Sequence, residues 1–193
     1  MTEVSWQIFK AKFAGKETGS FQELCLYVFC YICGLETGVF SYSDHAGIET
    51  EDVLFQGKYT GFQAKFYTDN LPQKKKDILD AITTTRAHNT RVQKIIFFLP
   101  INPSGVSAGV DEGQKPQWMK EAELTAKKNH LEIDWFGTSR FQVVLACEDL
   151  QLIARHFFDL APDLWDFIPV LEKLTNTRLS FIRNSTNYKG LNH

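Results

Sequence analysis

The sequence predicts an α/β fold with a mixed central sheet flanked by helices, and three observations carry this prediction. Residues 21–33 are apolar on almost every side and stop before Gly34, which indicates a buried helix. Residues 61–67 alternate apolar and polar side chains, which is the pattern of a strand with one buried face. Helical and strand patterns then follow one another over residues 73–99, as expected when helices connect the strands of a sheet.

Each element of the first half has its own signal. Residues 37–42 are β-branched and aromatic, residues 43–47 have the composition of a turn, and residues 48–55 are a second extended candidate. Residues 73–88 repeat apolar side chains at helical spacing, and residues 92–99 form an apolar strand. The predicted order of elements to this point is αβββαβ.

The second half continues the same alternation. Residues 102–117 contain three glycines and two prolines and are predicted to form a long loop. The segments that follow are predicted as a helix, a strand and three helices, at residues 118–129, 131–136, 138–146, 148–160 and 168–174. We assign residues 1–149 to the α/β core and residues 150–193 to a C-terminal helical extension or connector.

Composition excludes several classes of protein. The 193 residues are 44% hydrophobic, and 21 Lys and Arg against 23 Asp and Glu leave a net charge of -2, so neither a disordered chain nor a uniformly basic nucleic-acid coat is expected. The longest apolar stretch has about a dozen residues, whereas a bilayer-spanning helix needs roughly 20. No signal-peptide pattern opens the chain, and the four cysteines are interpreted as thiols of a reducing compartment. We therefore expect a cytoplasmic protein with no membrane partner.

A cluster of polar side chains is predicted on the hairpin of residues 48–55 and 61–67. Strand alternation allows one apolar face made of Ile48, Leu54, Phe62, Ala64 and Phe66. The opposite face would then carry Glu49, Glu51, Gln63 and Lys65. A register shifted by one residue would bring Asp52 to that face instead. In either register, acids, an amide and an amine would meet.

Such a cluster suits a hard divalent cation. Two carboxylates about 4 Å apart repel by ~4 kcal/mol at an effective dielectric of about 20, so they tend to hold a cation or a proton. Carboxylate and amide oxygens are ligands that Mg²⁺ prefers. A bound ion would activate water and shield a phosphate while the lysine orients the nucleophile, which is the chemistry of phosphodiester hydrolysis. A solvent-facing polar strand surface would produce the same alternation.

The residues of this hairpin also carry a family resemblance. The run Gly47-Ile48-Glu49, followed by Gly61-Phe62-Gln63-Ala64-Lys65, resembles the GxD…QxK signature of Mrr-like nucleases. These enzymes are a branch of the PD-(D/E)xK restriction-endonuclease superfamily, whose common core has the αβββαβ order. With residues 21–100, 118 and 133–136 included, the chain is most similar to the N-terminal effector domain of Avs-type antiviral STAND NTPases.

The resemblance implies a restriction-endonuclease-like core and a Mg²⁺-dependent DNA endonuclease, in which Mn²⁺ can substitute. The site residues it implies are Glu49 as the metal-binding acid, Gln63 at the variable second position, Lys65 as the catalytic lysine and Glu23 as an accessory acid on the first helix, with metal ligands from Glu49, Gln63 and Glu23. Glu51 or Asp52 would be the metal acid if the strand register differed. The expected partner is double-stranded DNA.

The chain departs from the family pattern at this site. Glu49 stands where Asp is usual, Gln63 replaces an acid, and Gln22 competes with Glu23 for the helix position. The chain has no G-x-x-x-x-G-K-[ST] phosphate loop, so the resemblance implies a homo-oligomer assembled by ATPase and sensor regions absent from this chain. The alternative is a catalytically inactive nucleic-acid-binding or oligomerisation module with the same fold.

Basic residues near the hairpin predict a local surface that contacts phosphates without reading bases. They are Lys58, Lys74, Lys75, Lys76, Arg86, Arg91 and Lys94. An ordinary solvated start of a helix accounts for the three consecutive lysines equally well.

Overall fold

The computed structural model describes residues 4–36, 38–39, 47–67, 74–102 and 116–159. In chain order the elements are α1 (Trp6–Lys12), α2 (Glu17–Ile32), β1 (Val53–Phe55), β2 (Lys58–Ala64), α3 (Lys75–His88), β3 (Lys94–Phe98), α4 (Gln117–Lys128), β4 (Glu132–Phe136), α5 (Thr138–Leu145) and α6 (Gln151–Phe158), with a 3₁₀ turn at Glu148–Leu150. The predicted α/β class, with a mixed sheet flanked by helices, is confirmed. None of these described helices is long and apolar enough to cross a bilayer.

Some predicted segments cannot be compared with the structure. The strand predicted at 37–42, the loop predicted at 102–117 and the helix predicted at 168–174 lie wholly or mostly outside the described residues. Helix α1 was not predicted, and β1 is shorter than the extended segment predicted at 48–55. The other described helices and strands lie close to their predicted positions.

The four strands form one sheet in the order β1-β2-β3-β4. Strand β1 runs antiparallel to β2, and the two-residue turn between them, Gln56 and Gly57, has φ of 51° and 79°. Positive φ at both turn positions matches the right-handed twist of a hairpin. Strands β2, β3 and β4 are parallel, and α3 and α4 make the two crossovers that parallel strands require. Strand β2 therefore joins the antiparallel and parallel parts of the sheet.

Each face of the sheet is covered by its own helices. Phe62, Phe98 and Phe136 pack into a core with α1, α2, α5 and α6, whereas Phe97 packs into a second core with α3 and α4. Trp6 of α1 is central to the first core, because its indole N–H donates to Thr138 Oγ1 at 2.9 Å while its ring contacts several phenylalanines. The aromatic residues of α6 join this same core.

The predicted apolar face of the hairpin is wrong at two positions. Ile48 packs in the second core, and Leu54 pairs with Tyr59 in the register and is 66% exposed. Phe62 instead packs in the first core. The physical reason is Gly61: a Cβ there would lie 2.9 Å from the Ile48 side chain, so the missing side chain is what admits Ile48. Because Ile48 faces α3 and strand side chains alternate, the next residue, Glu49, faces α2.

Gly47 begins residues 47–49, called the edge segment below, and its position leaves no room for a side chain. Its φ is +96°, a region that residues with a Cβ adopt only with strain. A Cβ on Gly47 would also overlap the backbone of Thr85 in α3. Gly57 provides a contrast, since its φ is +79° but a Cβ there would meet nothing within 4 Å.

Replacing each glycine by alanine separates strain from overlap. We expect Gly57→Ala to lower the free energy of unfolding by about 1 kcal/mol, from backbone strain alone. We expect Gly47→Ala to lower it by about 3 kcal/mol or more, because α3 must also move. Urea unfolding of the two variants beside the wild type measures both values, and equal losses would contradict the packing described for Gly47.

Candidate active site at the end of strand β2

The Glu49 side chain lies at the end of β2, beside the sheet. Its backbone N–H donates to the Phe62 carbonyl oxygen at 2.9 Å, which anchors the edge segment to β2. Its carboxylate accepts a hydrogen bond of 2.5 Å from Gln22 Nε2 on α2, and a further one from the Ala64 backbone amide. Ala64 is the residue between Gln63 and Lys65. Glu49 is thus held at the backbone of the Gln63-Ala64-Lys65 motif.

The electrostatic surroundings of Glu49 act in opposite directions. Burial raises the pKa of this carboxyl above its ordinary value, while the charge of Lys65 and the hydrogen bonds from Gln22 and Ala64 lower it. Burial also raises the pKa of the Cys25 thiol on α2, and the negative charge of Glu49 adds to that rise. The positive charge of Lys65 therefore acts on the Glu49 carboxylate.

Gln63 is a buried polar residue with an unusual lack of partners. It is 4% exposed, and its Oε1 accepts no hydrogen bond from any of the described residues. It pairs with Phe97 in the parallel register, so its side chain leaves β2 on the face that α3 and α4 cover. Leaving a buried acceptor unpaired costs about 1–3 kcal/mol. Glu49 meets Gln22 of α2 on the opposite face, so the structure does not bring the Gln63 side chain to the Glu49 carboxylate.

The predicted accessory acid Glu23 does not accompany Glu49 in the described contacts. Glu23 is exposed, accepts a hydrogen bond of 3.2 Å from Tyr27 Oη, and opposes the lowering of the His156 pKa that burial causes. Neighbouring residues on a helix point about 100° apart, so only one of Gln22 and Glu23 can face the sheet edge. The structure brings Gln22 to Glu49, which makes Gln22 the α2 residue of the site.

The alternative acids lie elsewhere. Asp52 accepts a hydrogen bond of 2.7 Å from Arg91 Nε, forming an ion pair at the start of β1. Glu51 is exposed. Neither residue replaces Glu49 at the Ala64 amide, so the structure favours Glu49 among the three acids that the sequence left open.

The predicted basic surface is largely neutralised by ion pairs. Four of its seven cations pair with carboxylates: Lys58 with Glu132, Lys75 with Glu121, Arg91 with Asp52, and Lys94 with Asp134. The sequence did not reveal these pairs, because most of the acids come from α4 and β4, far along the chain. The positive charge that remains for phosphates is smaller than the predicted cluster suggests.

The cysteines offer no competing site in the part of the chain that the structure describes. All four are free thiols, and burial raises the pKa of Cys30 to about 11 and that of Cys33 to about 12. Neutral thiols are poor nucleophiles and poor metal ligands. The described residues also contain no group of three or more His, Cys, Asp and Glu side chains that would hold a metal ion. A cation at Glu49 would have to rely on one carboxylate and neutral oxygens.

Comparisons with known proteins give no assignment, since no protein-family model and no curated protein matches the chain. The resemblance to Mrr-like nucleases rests on the motif residues and on the order of the elements. The geometry around Glu49 does not depend on that resemblance.

Glu49→Gln measures the cost of burying this acid. Because burial raises the pKa of Glu49, the folded protein holds the proton more tightly than the unfolded chain does. The free energy of unfolding should therefore fall as the pH rises from the ordinary glutamate pKa through the raised value. Glutamine does not ionise, so the variant should lack this part of the pH dependence. Urea unfolding over a series of pH values in metal-free buffer compares the slopes, and identical slopes would contradict the expectation.

Gln22→Met tests which α2 side chain belongs to the site. Methionine has a similar length but donates no hydrogen bond, so the pKa of Glu49 should rise further. The control is Glu23→Gln, which removes a charge one residue along the helix and leaves the contact between Gln22 and Glu49 in place. Carbon-13 NMR titration of the Glu49 carboxyl in metal-free buffer measures its pKa in both variants. A larger change in the control than in Gln22→Met would assign the role to Glu23.

Proposed function

We propose that this chain is a metal-dependent DNA endonuclease domain that hydrolyses phosphodiester bonds in double-stranded DNA. The observation that carries the proposal is the Glu49 carboxylate, partly buried at the Ala64 amide with the charge of Lys65 acting on it. A desolvated acid whose pKa is influenced by a nearby amine is the kind of group that active sites use.

The order of the elements supports the finer fold assignment. Helix α2 precedes the hairpin β1-β2, and α3 then crosses to the parallel strand β3. This described αββαβ order matches a restriction-endonuclease-like αβββαβ core apart from its first strand, which was predicted at residues 37–42, mostly outside the described residues. We include this finer fold in the proposal.

The Glu49 carboxylate suits Mg²⁺, with Mn²⁺ as a substitute. We propose Glu49 as the protein ligand and leave out Gln63 and Glu23. The unpaired Gln63 Oε1 belongs to a side chain on the face of the sheet that α3 and α4 cover, opposite Glu49, and the Glu23 side chain contacts Tyr27. When bound, the ion would supply a water of lowered pKa and shield phosphate charge. A single protein ligand implies weak binding until DNA phosphates add further oxygens.

The remaining side chains have supporting roles in this proposal. The Lys65 ammonium stabilises negative charge that develops on the attacked phosphate. Gln22 donates to the Glu49 carboxylate, which favours its ionised form and holds its orientation. The site therefore combines one acid, one amine and the amide of Gln22, and each has a distinct task.

The wider setting follows from the resemblance and is proposed with it. The domain would be the effector of a cytoplasmic bacterial anti-phage defence protein. Cutting both strands of DNA requires two sites, so the active form would be a homo-oligomer assembled by ATPase and sensor regions outside this chain. The isolated domain would then cleave slowly, and dilution would lower its cleavage rate further.

Cleavage of supercoiled plasmid in Mg²⁺ or Mn²⁺ tests the activity. We expect Glu49→Gln and Lys65→Met each to lower the rate by about 100-fold or more, because each removes a group that acts on the reacting phosphate. The matched control is Glu51→Gln, which removes the same charge two residues away and should cleave like the wild type. All proteins are compared over a range of concentrations, after circular dichroism shows equal folding.

Three outcomes would contradict the endonuclease proposal. Equal cleavage by the wild type and by the Glu49 and Lys65 variants would mean that the nuclease is a contaminant or uses another site. Retention of DNA without cleavage at every concentration would favour the catalytically inactive nucleic-acid-binding module. Concentration-dependent self-association with neither binding nor cleavage would favour the oligomerisation module.

A further inference from the structure

The edge segment of residues 47–49 is held by α3 on one side and by strand β2 of the sheet. From α3, the Thr85 hydroxyl donates to the Gly47 carbonyl oxygen at 2.6 Å, and Thr85 is completely buried. The lack of a side chain on Gly47 lets the segment lie against the α3 backbone. From β2, the Phe62 carbonyl oxygen accepts the Glu49 N–H at 2.9 Å. The position of Glu49 thus depends on a residue that lies 36 positions later in the chain.

The Thr85 hydroxyl has two acceptors within reach and one proton. It lies 2.8 Å from the Ala81 carbonyl oxygen as well as 2.6 Å from that of Gly47. The Ala81 oxygen also accepts the ordinary helical N–H four residues later, whereas the Gly47 oxygen is a buried acceptor outside any helix. The shorter bond to Gly47 is therefore the one whose loss matters.

We propose that Thr85 is a positioning residue for Glu49. Its hydroxyl anchors the Gly47 carbonyl, and the anchored backbone places the Glu49 carboxylate at the Ala64 amide and Gln22 Nε2. Without the hydroxyl, residues 47–49 keep the apolar packing of Ile48 against Gly61 and α3 but lose their hydrogen bond to α3. The effect on Glu49 stands by itself, whereas the effect on DNA cleavage rests on the proposed endonuclease function.

Three threonine variants test the anchor. Thr85→Val keeps the branched shape without the hydroxyl, and Thr85→Ser keeps the hydroxyl. Thr83→Val is the matched control, because the Thr83 hydroxyl donates within α3 to Leu79 and Asp80 carbonyl oxygens. NMR measurement of amide hydrogen exchange should show the Glu49 N–H exchanging about tenfold faster in Thr85→Val, and within about twofold of the wild type in the other two variants.

The exchange result is judged against the rest of the sheet. Faster exchange confined to residues 47–49, with the β3 amides unchanged, supports the anchor. Unchanged exchange of Glu49 in Thr85→Val overturns it, and so does a uniform acceleration that includes β3. These readings need no enzymatic activity, so they hold even if the protein cleaves no DNA.

Plasmid cleavage gives the second reading. Thr85→Val should lower the maximal rate by about 10- to 100-fold with little change in the DNA concentration for half-maximal rate, because a misplaced acid slows chemistry more than binding. Thr85→Ser should restore the rate. If Thr85→Val cleaves like the wild type while Glu49→Gln does not cleave, the positioning role is overturned and the endonuclease function stands. If Glu49→Gln also cleaves like the wild type, the endonuclease function fails instead.

Discussion

The missing side chain of Gly61 is the constraint from which the geometry of the site follows. Ile48 occupies the space over Gly61 and packs toward α3, since a Cβ at position 61 would lie 2.9 Å from it. Strand side chains alternate, so Glu49 turns the other way, toward Gln22 of α2. An apolar contact therefore determines where the acid lies. The polar contacts of Glu49 with Gln22 and Ala64 hold it there but do not choose the face.

The polar side chains of Gln63 and Glu49, on opposite faces of the sheet, are unlike a solvent-facing strand surface, which was the simplest interpretation of the alternating pattern. Gln63 is 4% exposed with an unpaired Oε1 among the described residues, and burial disfavours the charged form of Glu49. Both features cost stability, and a sequence selected for stability alone would place apolar or fully hydrogen-bonded groups there. Local losses of this kind are characteristic of functional sites, where stability is exchanged for chemistry.

Periodicity predicted most described elements because their patterns are local. Residues 61–67 alternate and residues 73–88 repeat at helical spacing, so β2 and α3 followed from the sequence alone. The faces on which the hairpin side chains lie did not follow from the sequence, because they depend on contacts of Ile48 with Gly61 and with α3. The choice between Gln22 and Glu23 could not be made from the sequence for a related reason. Helix α2 is apolar nearly all round, so its sequence does not show which side faces the sheet edge.

Electrostatics explains why the proposed activity would need several copies of the chain. The affinity of a protein for DNA depends on how many phosphates its cations neutralise, and four of the predicted cations are engaged with carboxylates. The whole chain carries a net charge of -2, which does not attract DNA over long distances. A single domain would therefore bind DNA weakly. Joining several domains makes each later contact intramolecular, which raises the overall affinity without any new cation. A domain with this charge pattern is thus suited to remain idle alone and to act on DNA when it is assembled.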